Sequence, residues 1–105
     1  MTRAEHIVTH IAEEAVEVAH RVTKALRFGM FQVQHAPHDK PEQNPDQLTN
    51  RERIIDEFVD LCAVMEMDGF DPIEYAGRWK QKGEKKAKVE RYLLLAKQNG
   101  RLEEG

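Results

Sequence analysis

Cysteine is almost missing from this 105-residue chain. Cys62 stands alone, so no internal disulfide can form, and its apolar helical setting is that of a buried, inert thiol in a reducing cytosol. Aromatic residues are scarce at 7%, while charged residues make up 33% and hydrophobic residues 40%. That balance is too apolar for disorder and favours helix over sheet. No excess of positive charge exists: the formal net charge is −3, which leaves no general positive field to draw nucleic acid. No stretch approaches the ~20 apolar residues that a membrane span requires, and the first residues hold no apolar signal core. No internal repeat of fixed period is present. These absences point to one soluble, cytoplasmic domain over residues 1–105 that contacts neither membrane nor nucleic acid. A globule of this size buries only roughly two-thirds of its unfolded surface, so its own core is expected to be thin.

What remains is helix. The first segment reads as one helix from Ala4 to Phe28. Thr2 and Glu5 stand at capping-box spacing, and Gly29 supplies the stop. Ile7, Val8, Ile11, Ala15, Val18, Val22, Ala25 and Leu26 recur at three- and four-residue steps, which predicts one buried face. Residues 29–48 break the pattern with Pro37, Pro41 and Pro45, and they read as a long loop of functional or linker character. Val33 has some strand character but no partner. A second helix is predicted from Asn50 to Met67, again with a capping-box pair at Thr49 and Glu52. Asp71 and Pro72 open a third helix, expected to run to Gln81. Gly83 breaks the pattern there, and Glu84 to Gln98 forms the fourth.

Carboxylates recur at a matched spacing on the first two helices. Glu13, Glu14 and Glu17 lie on the first, Glu57 and Asp60 on the second. At ~100° and ~1.5 Å per residue, each i, i+3 pair shares one face within a single turn. With Glu14 at zero, the apolar stripe centres at about +80° and Glu17 at about −60°. In the second helix Leu61, Ile54, Met65 and Phe58 lie at roughly +40° to +100° from Glu57, and Asp60 at about −60°. If the apolar faces pack together, both acidic pairs border the same seam. Four carboxylates so gathered repel unless a cation neutralises them, and hard oxygen donors suit Mg²⁺ or Mn²⁺. The same spacing also occurs on ordinary solvated helices.

Glu13-Glu14-Ala15-Val16-Glu17 followed by Glu57-Phe58-Val59-Asp60 resembles the paired EExxE and ExxD motifs of the all-helical MazG-like nucleoside triphosphate pyrophosphohydrolases. Lys24-Ala25-Leu26-Arg27-Phe28-Gly29, Asn50-Arg51-Glu52-Arg53 and residues 85–92 resemble segments of small phage-encoded MazG-like proteins, which act in the host cytoplasm. The resemblance covers most of the chain outside residues 29–48. It implies an all-α, four-helix, oligomeric fold that hydrolyses a (deoxy)nucleoside triphosphate to the monophosphate and pyrophosphate. It also implies Glu14, Glu17, Glu57 and Asp60 as Mg²⁺ ligands, with Mn²⁺ able to substitute. Glu13 becomes the carboxylate that orients or deprotonates the attacking water, and Arg21, Lys24, Arg27 and Asn50 become substrate contacts. Two other readings stand beside this one: a non-catalytic helical assembly module, and a related pyrophosphohydrolase acting on another substrate such as phosphoribosyl-ATP.

Arg21 and Lys24 follow Glu17 by one to two turns on its stripe, where a cation can meet a phosphate; an Arg21–Glu17 salt bridge is the rival account. Asn50 precedes Glu57 by two turns, with helix capping as its rival. His6 and His10 are spaced as a metal pair or as plain surface histidines. His35 precedes a His38-Asp39 dipeptide in a Pro-flanked setting unlike the helices that hold metal-binding HD pairs. Trp79 and Phe28 suit base stacking, core packing or a subunit contact. Leu93, Leu94 and Leu95 run round the last helix, so one face cannot hide them, and a homodimer or homotetramer is expected.

Overall fold

A computed structural model describes residues 1–33 and 40–103. Four α-helices lie within them: α1 (Arg3–Phe28), α2 (Asn50–Met67), α3 (Pro72–Ala76) and α4 (Trp79–Gln98), with a 3-10 turn at Pro41–Gln43. No strand is present among the described residues, Val33 included, so the all-helical expectation holds. The chain divides into two compact units, Met1–Asp71 and Pro72–Gly105.

In the first unit α1 and α2 pack against each other. Local chemistry sets their ends. The Glu5 N–H donates to Thr2 Oγ1 at 3.1 Å and starts α1. Gly29 ends it at φ 98°, its N–H donating to the Ala25 carbonyl at 2.9 Å. That left-handed backbone suits glycine, and a Cβ there would also stand 2.7 Å from the Gln32 side chain. At α2 the capping box is complete. The Glu52 N–H donates to Thr49 Oγ1, while the Thr49 N–H donates to Glu52 Oε1 at 3.1 Å.

The helices are antiparallel. The end of α1 touches the start of α2, where Asn50 Nδ2 donates to the Gly29 carbonyl at 2.8 Å, and mid-α1 meets Glu57 and Asp60 further along α2. The single buried stripe expected of α1 is in fact two. Ile7 and Ala25 are buried, with Ile11 and Val18 half-buried; Val8, Ala15, Val22 and Leu26 are exposed. The expected set spans a sector broader than one antiparallel neighbour covers. On α2, Ile54, Leu61, Val64 and Met65 are half-buried, whereas Phe58 is exposed.

The described part of the connector is more structured than a plain loop. Around Asn44, which is 5% exposed, the chain folds into a closed turn. Its Nδ2 donates to the Leu48 carbonyl at 2.9 Å, and its Oδ1 accepts from the Leu48 N–H at 3.0 Å. Gln47 inside that turn has φ 52°, and its N–H donates to the Asn44 carbonyl. The Asn50 and Arg51 N–H groups donate to the carbonyls of Gln32 and Met30 at 2.9 and 2.8 Å. The connector therefore returns to where it left α1.

In the second unit the boundary between helices differs from expectation. The third helix was expected to reach Gln81 and the fourth to begin after Gly83. Instead α3 stops at Ala76 and α4 starts at Trp79, running through Gly83. The break falls at Gly77, where the Gly77 and Arg78 N–H groups donate to the Glu74 and Tyr75 carbonyls at 3.2 Å each. Gly83 costs α4 about 1 kcal/mol relative to alanine, but its neighbours Gln81, Lys82, Glu84, Lys85 and Lys86 are strong helix formers.

Candidate metal centre

Two helices supply the site because each acidic pair borders the face by which its helix packs. One carboxylate oxygen each of Glu14, Glu57 and Asp60 lies within 4.8 Å of the others. Glu14 and Glu57 are half-buried and Asp60 is exposed, so the group opens to solvent on one side. Partial removal from water raises the Glu14 pKa above the ordinary glutamate value, and the charges of Asp60, Glu57 and Glu17 add to the rise. His10 acts against it. The Glu14 carboxylate therefore gains from any positive charge placed among its neighbours.

One such charge comes from the chain itself. Arg21 Nε lies 3.6 Å from Glu57 Oε1, both side chains about one-fifth exposed. The pair runs across the helices, from α1 to α2. Arg21, Glu57 and Asp60 also line a pocket of about 200 Å³ beside the carboxylates. Asp56 and Arg53 of α2 complete the α2 wall, and Gln43, Asn44 and Leu48 of the connector form the other wall.

The remaining predicted residues fall at varying distances from this centre. Glu17 is exposed and stands outside the three-oxygen group, though its charge reaches Glu14. Glu13 turns toward His10, with Oε2 3.2 Å from His10 Nδ1, on a neighbouring face of α1. Glu13 and Glu17 share a shallow hollow with Thr9, Ala12 and Val16. Lys24 is half-buried and Arg27 lies over the Phe28 ring at 5.4 Å; neither lines the carboxylate pocket. Asn50 is 5% exposed and directs its amide to the Gly29 carbonyl, so it ties the two helix ends together; the helix cap is Thr49. Trp79 is 85% exposed. His35, His38 and Asp39 lie outside the described residues.

Arg53 is the residue the sequence reading passed over. It is 6% exposed and sits in the pocket wall. The signal was available, since Arg53 precedes Glu57 by four residues and Asp60 by seven, which is one helical face. Asp56, three residues after Arg53 and four before Asp60, bears the same mark, whereas the connector residues carry none.

The donor set is all oxygen, and among the described residues no histidine or cysteine joins it. Three carboxylate oxygens at this separation can hold a hard divalent cation, with water or a ligand filling the other positions. Compared with known protein families, with curated proteins and with solved structures, the chain matches none.

Proposed function

We propose that this chain is a magnesium-dependent pyrophosphohydrolase of the MazG-like type, which converts a (deoxy)nucleoside triphosphate to its monophosphate and pyrophosphate. The observation that carries the reading is the convergence of Glu14, Glu57 and Asp60 from two helices into one all-oxygen group. Those three would hold Mg²⁺, or Mn²⁺ in its place, and Glu17 would complete the set from the solvent side. A bound Mg²⁺ supplies neutralisation of the triphosphate charge and acidifies the attacking water. With a divalent cation on Glu57, Arg21 would be available to a phosphate oxygen in the same pocket, for which its planar donors are suited. Glu13, outside the three-oxygen group, is the carboxylate that would orient or deprotonate water. Lys24, Arg27 and Asn50 act further out, Asn50 by fixing the helix ends.

A direct test incubates the protein with each canonical nucleoside triphosphate, its deoxy form and phosphoribosyl-ATP in Mg²⁺, and resolves the products by ³¹P NMR. Monophosphate with pyrophosphate supports the proposal. Diphosphate with inorganic phosphate would replace it with a phosphohydrolase that attacks the terminal phosphate, and no turnover on any substrate would leave the non-catalytic assembly reading in its place.

The working form is a homodimer or a tetramer of two dimers in the cytoplasm. Val8, Ala12, Ala15, Ala19, Val22 and Leu26 fall within about 40° of one line along α1, and all are exposed. On α2, Ile55, Phe58 and Val59 form a comparable exposed stripe. In an antiparallel pair both stripes face the side opposite the carboxylates, since each lies about 100° from its packing face in the same rotational sense. A second copy of the hairpin, present whenever the chain is, would cover that face and supply the missing core.

A further inference from the structure

The net charge of −3 conceals an uneven division. Met1–Asp71 holds seven Lys and Arg against fourteen Asp and Glu, whereas Pro72–Gly105 holds nine against five. The first unit carries −7 and the second +4. Most of the positive charge lies in residues 78–91, with seven Lys and Arg against Glu84 and Glu90. A solvated helix normally intersperses signs at i, i+4 and pairs them. Among the described residues no ion pair joins Lys80, Lys82, Lys85, Lys86, Lys88 or Arg91 to a carboxylate.

Aromatic rings interleave this charge. Trp79 opens α4 with 85% of its surface exposed, and Lys82 Nζ lies 5.9 Å from its ring centroid. Arg78 lies 4.7 Å over Tyr75. At ~100° per residue, Lys82, Lys85 and Lys86 fall within about 120° of the Trp79 direction, with Glu84 at about 140° on the other flank. An open hollow of about 530 Å³ at the helix start is lined by Arg78, Trp79, Lys80, Gln81 and Glu84.

We infer that the start of α4 binds single-stranded nucleic acid, with Trp79 stacking on an unpaired base and Arg78, Lys82, Lys85 and Lys86 meeting successive phosphates. A wet indole beside several cations matches the two elements of sequence-tolerant strand binding, a stacking platform and a positive track. A duplex meets only the second, because its bases are already stacked. The inference concerns the second unit alone and is independent of the hydrolase proposal.

Trp79 is the chain's one tryptophan, so its fluorescence reports on this surface without a label. The full-length protein is titrated with a twelve-residue oligothymidylate, its oligouridylate counterpart, a twelve-base-pair duplex and inorganic polyphosphate. Both single strands are expected to quench Trp79 and to bind at least tenfold tighter than the duplex or polyphosphate at 50 mM NaCl. With four phosphates neutralised at a slope of about −0.7 each, affinity for oligothymidylate should fall about fiftyfold between 50 and 200 mM NaCl. A Lys85→Glu, Lys86→Glu variant should lose at least tenfold in affinity with its helical content unchanged. Trp79→Leu, followed by anisotropy of labelled strands, should keep the salt dependence and lose the preference over duplex. Three results would overturn the inference: no quenching by either strand, equal affinity for strand and duplex, or Trp79 emission that is blue-shifted and concentration-dependent without nucleic acid. The last would assign this surface to a second copy of the chain.

Discussion

Arg21 of α1 holds its Nε 3.6 Å from Glu57 Oε1 of α2, inside the group of carboxylates that also includes Glu14 and Asp60. The guanidinium is a positive charge the chain itself offers to that group. Because both side chains are only about one-fifth exposed, breaking the pair should cost more than an exposed ion pair's ~0.2–1 kcal/mol. Arg21→Met is expected to lower the melting temperature in chelator and to enlarge the stabilisation by Mg²⁺, since the ion then replaces a charge no longer present. Calorimetric melts with and without Mg²⁺ test this; an unchanged Mg²⁺ response would show that Arg21 and the cation do not share Glu57.

Linkage between metal and folding gives a second expectation. A cation that binds only the folded chain stabilises it by about 2.7 kcal/mol at a hundredfold excess over Kd. For a domain of this size that corresponds to a melting shift of roughly 10–20 °C. Millimolar Mg²⁺ or Mn²⁺ should exceed NaCl of equal ionic strength, and Asp60→Ala should lose most of the difference along with turnover. Identical shifts in wild type and variant would remove the metal centre from the account.

Asn50 separates a structural role from a substrate role. Removing its amide leaves the Gly29 carbonyl without that donor at a buried point, which should cost about 1–3 kcal/mol. Asn50→Ala is therefore expected to lower stability in urea denaturation while keeping the Mg²⁺ response and KM. A raised KM at full stability would return Asn50 to the substrate.

The α2 capping box adds a pH dependence of known sign. The Thr49 N–H and hydroxyl hold the Glu52 pKa below the ordinary glutamate value. Its stabilising effect is full above the unfolded-state pKa and disappears as pH falls through the lower folded value. Glu52→Gln should flatten that acid limb of the stability curve, and Thr49→Ala should cost about 1 kcal/mol at neutral pH. Parallel acid limbs in wild type and Glu52→Gln would contradict the assignment.

Leu26, 84% exposed on the apolar side of α1, tests the dimer. Leu26→Glu is expected to shift the protein toward monomer in sedimentation velocity at micromolar concentration and to lower its stability. A wild-type monomer under the same conditions would sink the dimer reading.

The parts of this fold legible in the sequence were those with short-range causes. Thr49 and Glu52 announce a cap because both partners lie within one turn, and three of the four expected carboxylates converge because their angles to the apolar stripes match on both helices, while Glu17 stays outside. Gly77 and Gly83 could not be ranked from identity alone, since strong helix formers surround Gly83 while Gly77 follows a five-residue helix. The stripe on α1 gave a direction but not the number of neighbours needed to cover it. Arg53 sat on the right face of α2, yet a buried arginine in a pocket wall becomes visible only when the connector closes around it.

The ends of the connector are fastened by three hydrogen bonds, from Asn50 Nδ2 to the Gly29 carbonyl, from the Asn50 N–H to Gln32 and from the Arg51 N–H to Met30. The chain thus leaves the hairpin after Gln32 and rejoins it at Asn50 at one place. Doubling the length of such an excursion adds only about 0.6 kcal/mol of closure entropy. Insertions between the Asn44 turn and Gln32 should therefore leave the register of α1 against α2, and with it the spacing of Glu14, Glu57 and Asp60, unchanged. Since residues 43, 44 and 48 form one wall of the carboxylate pocket, substitutions in this stretch would reshape that wall while the two helices that carry the acidic group stay as they are.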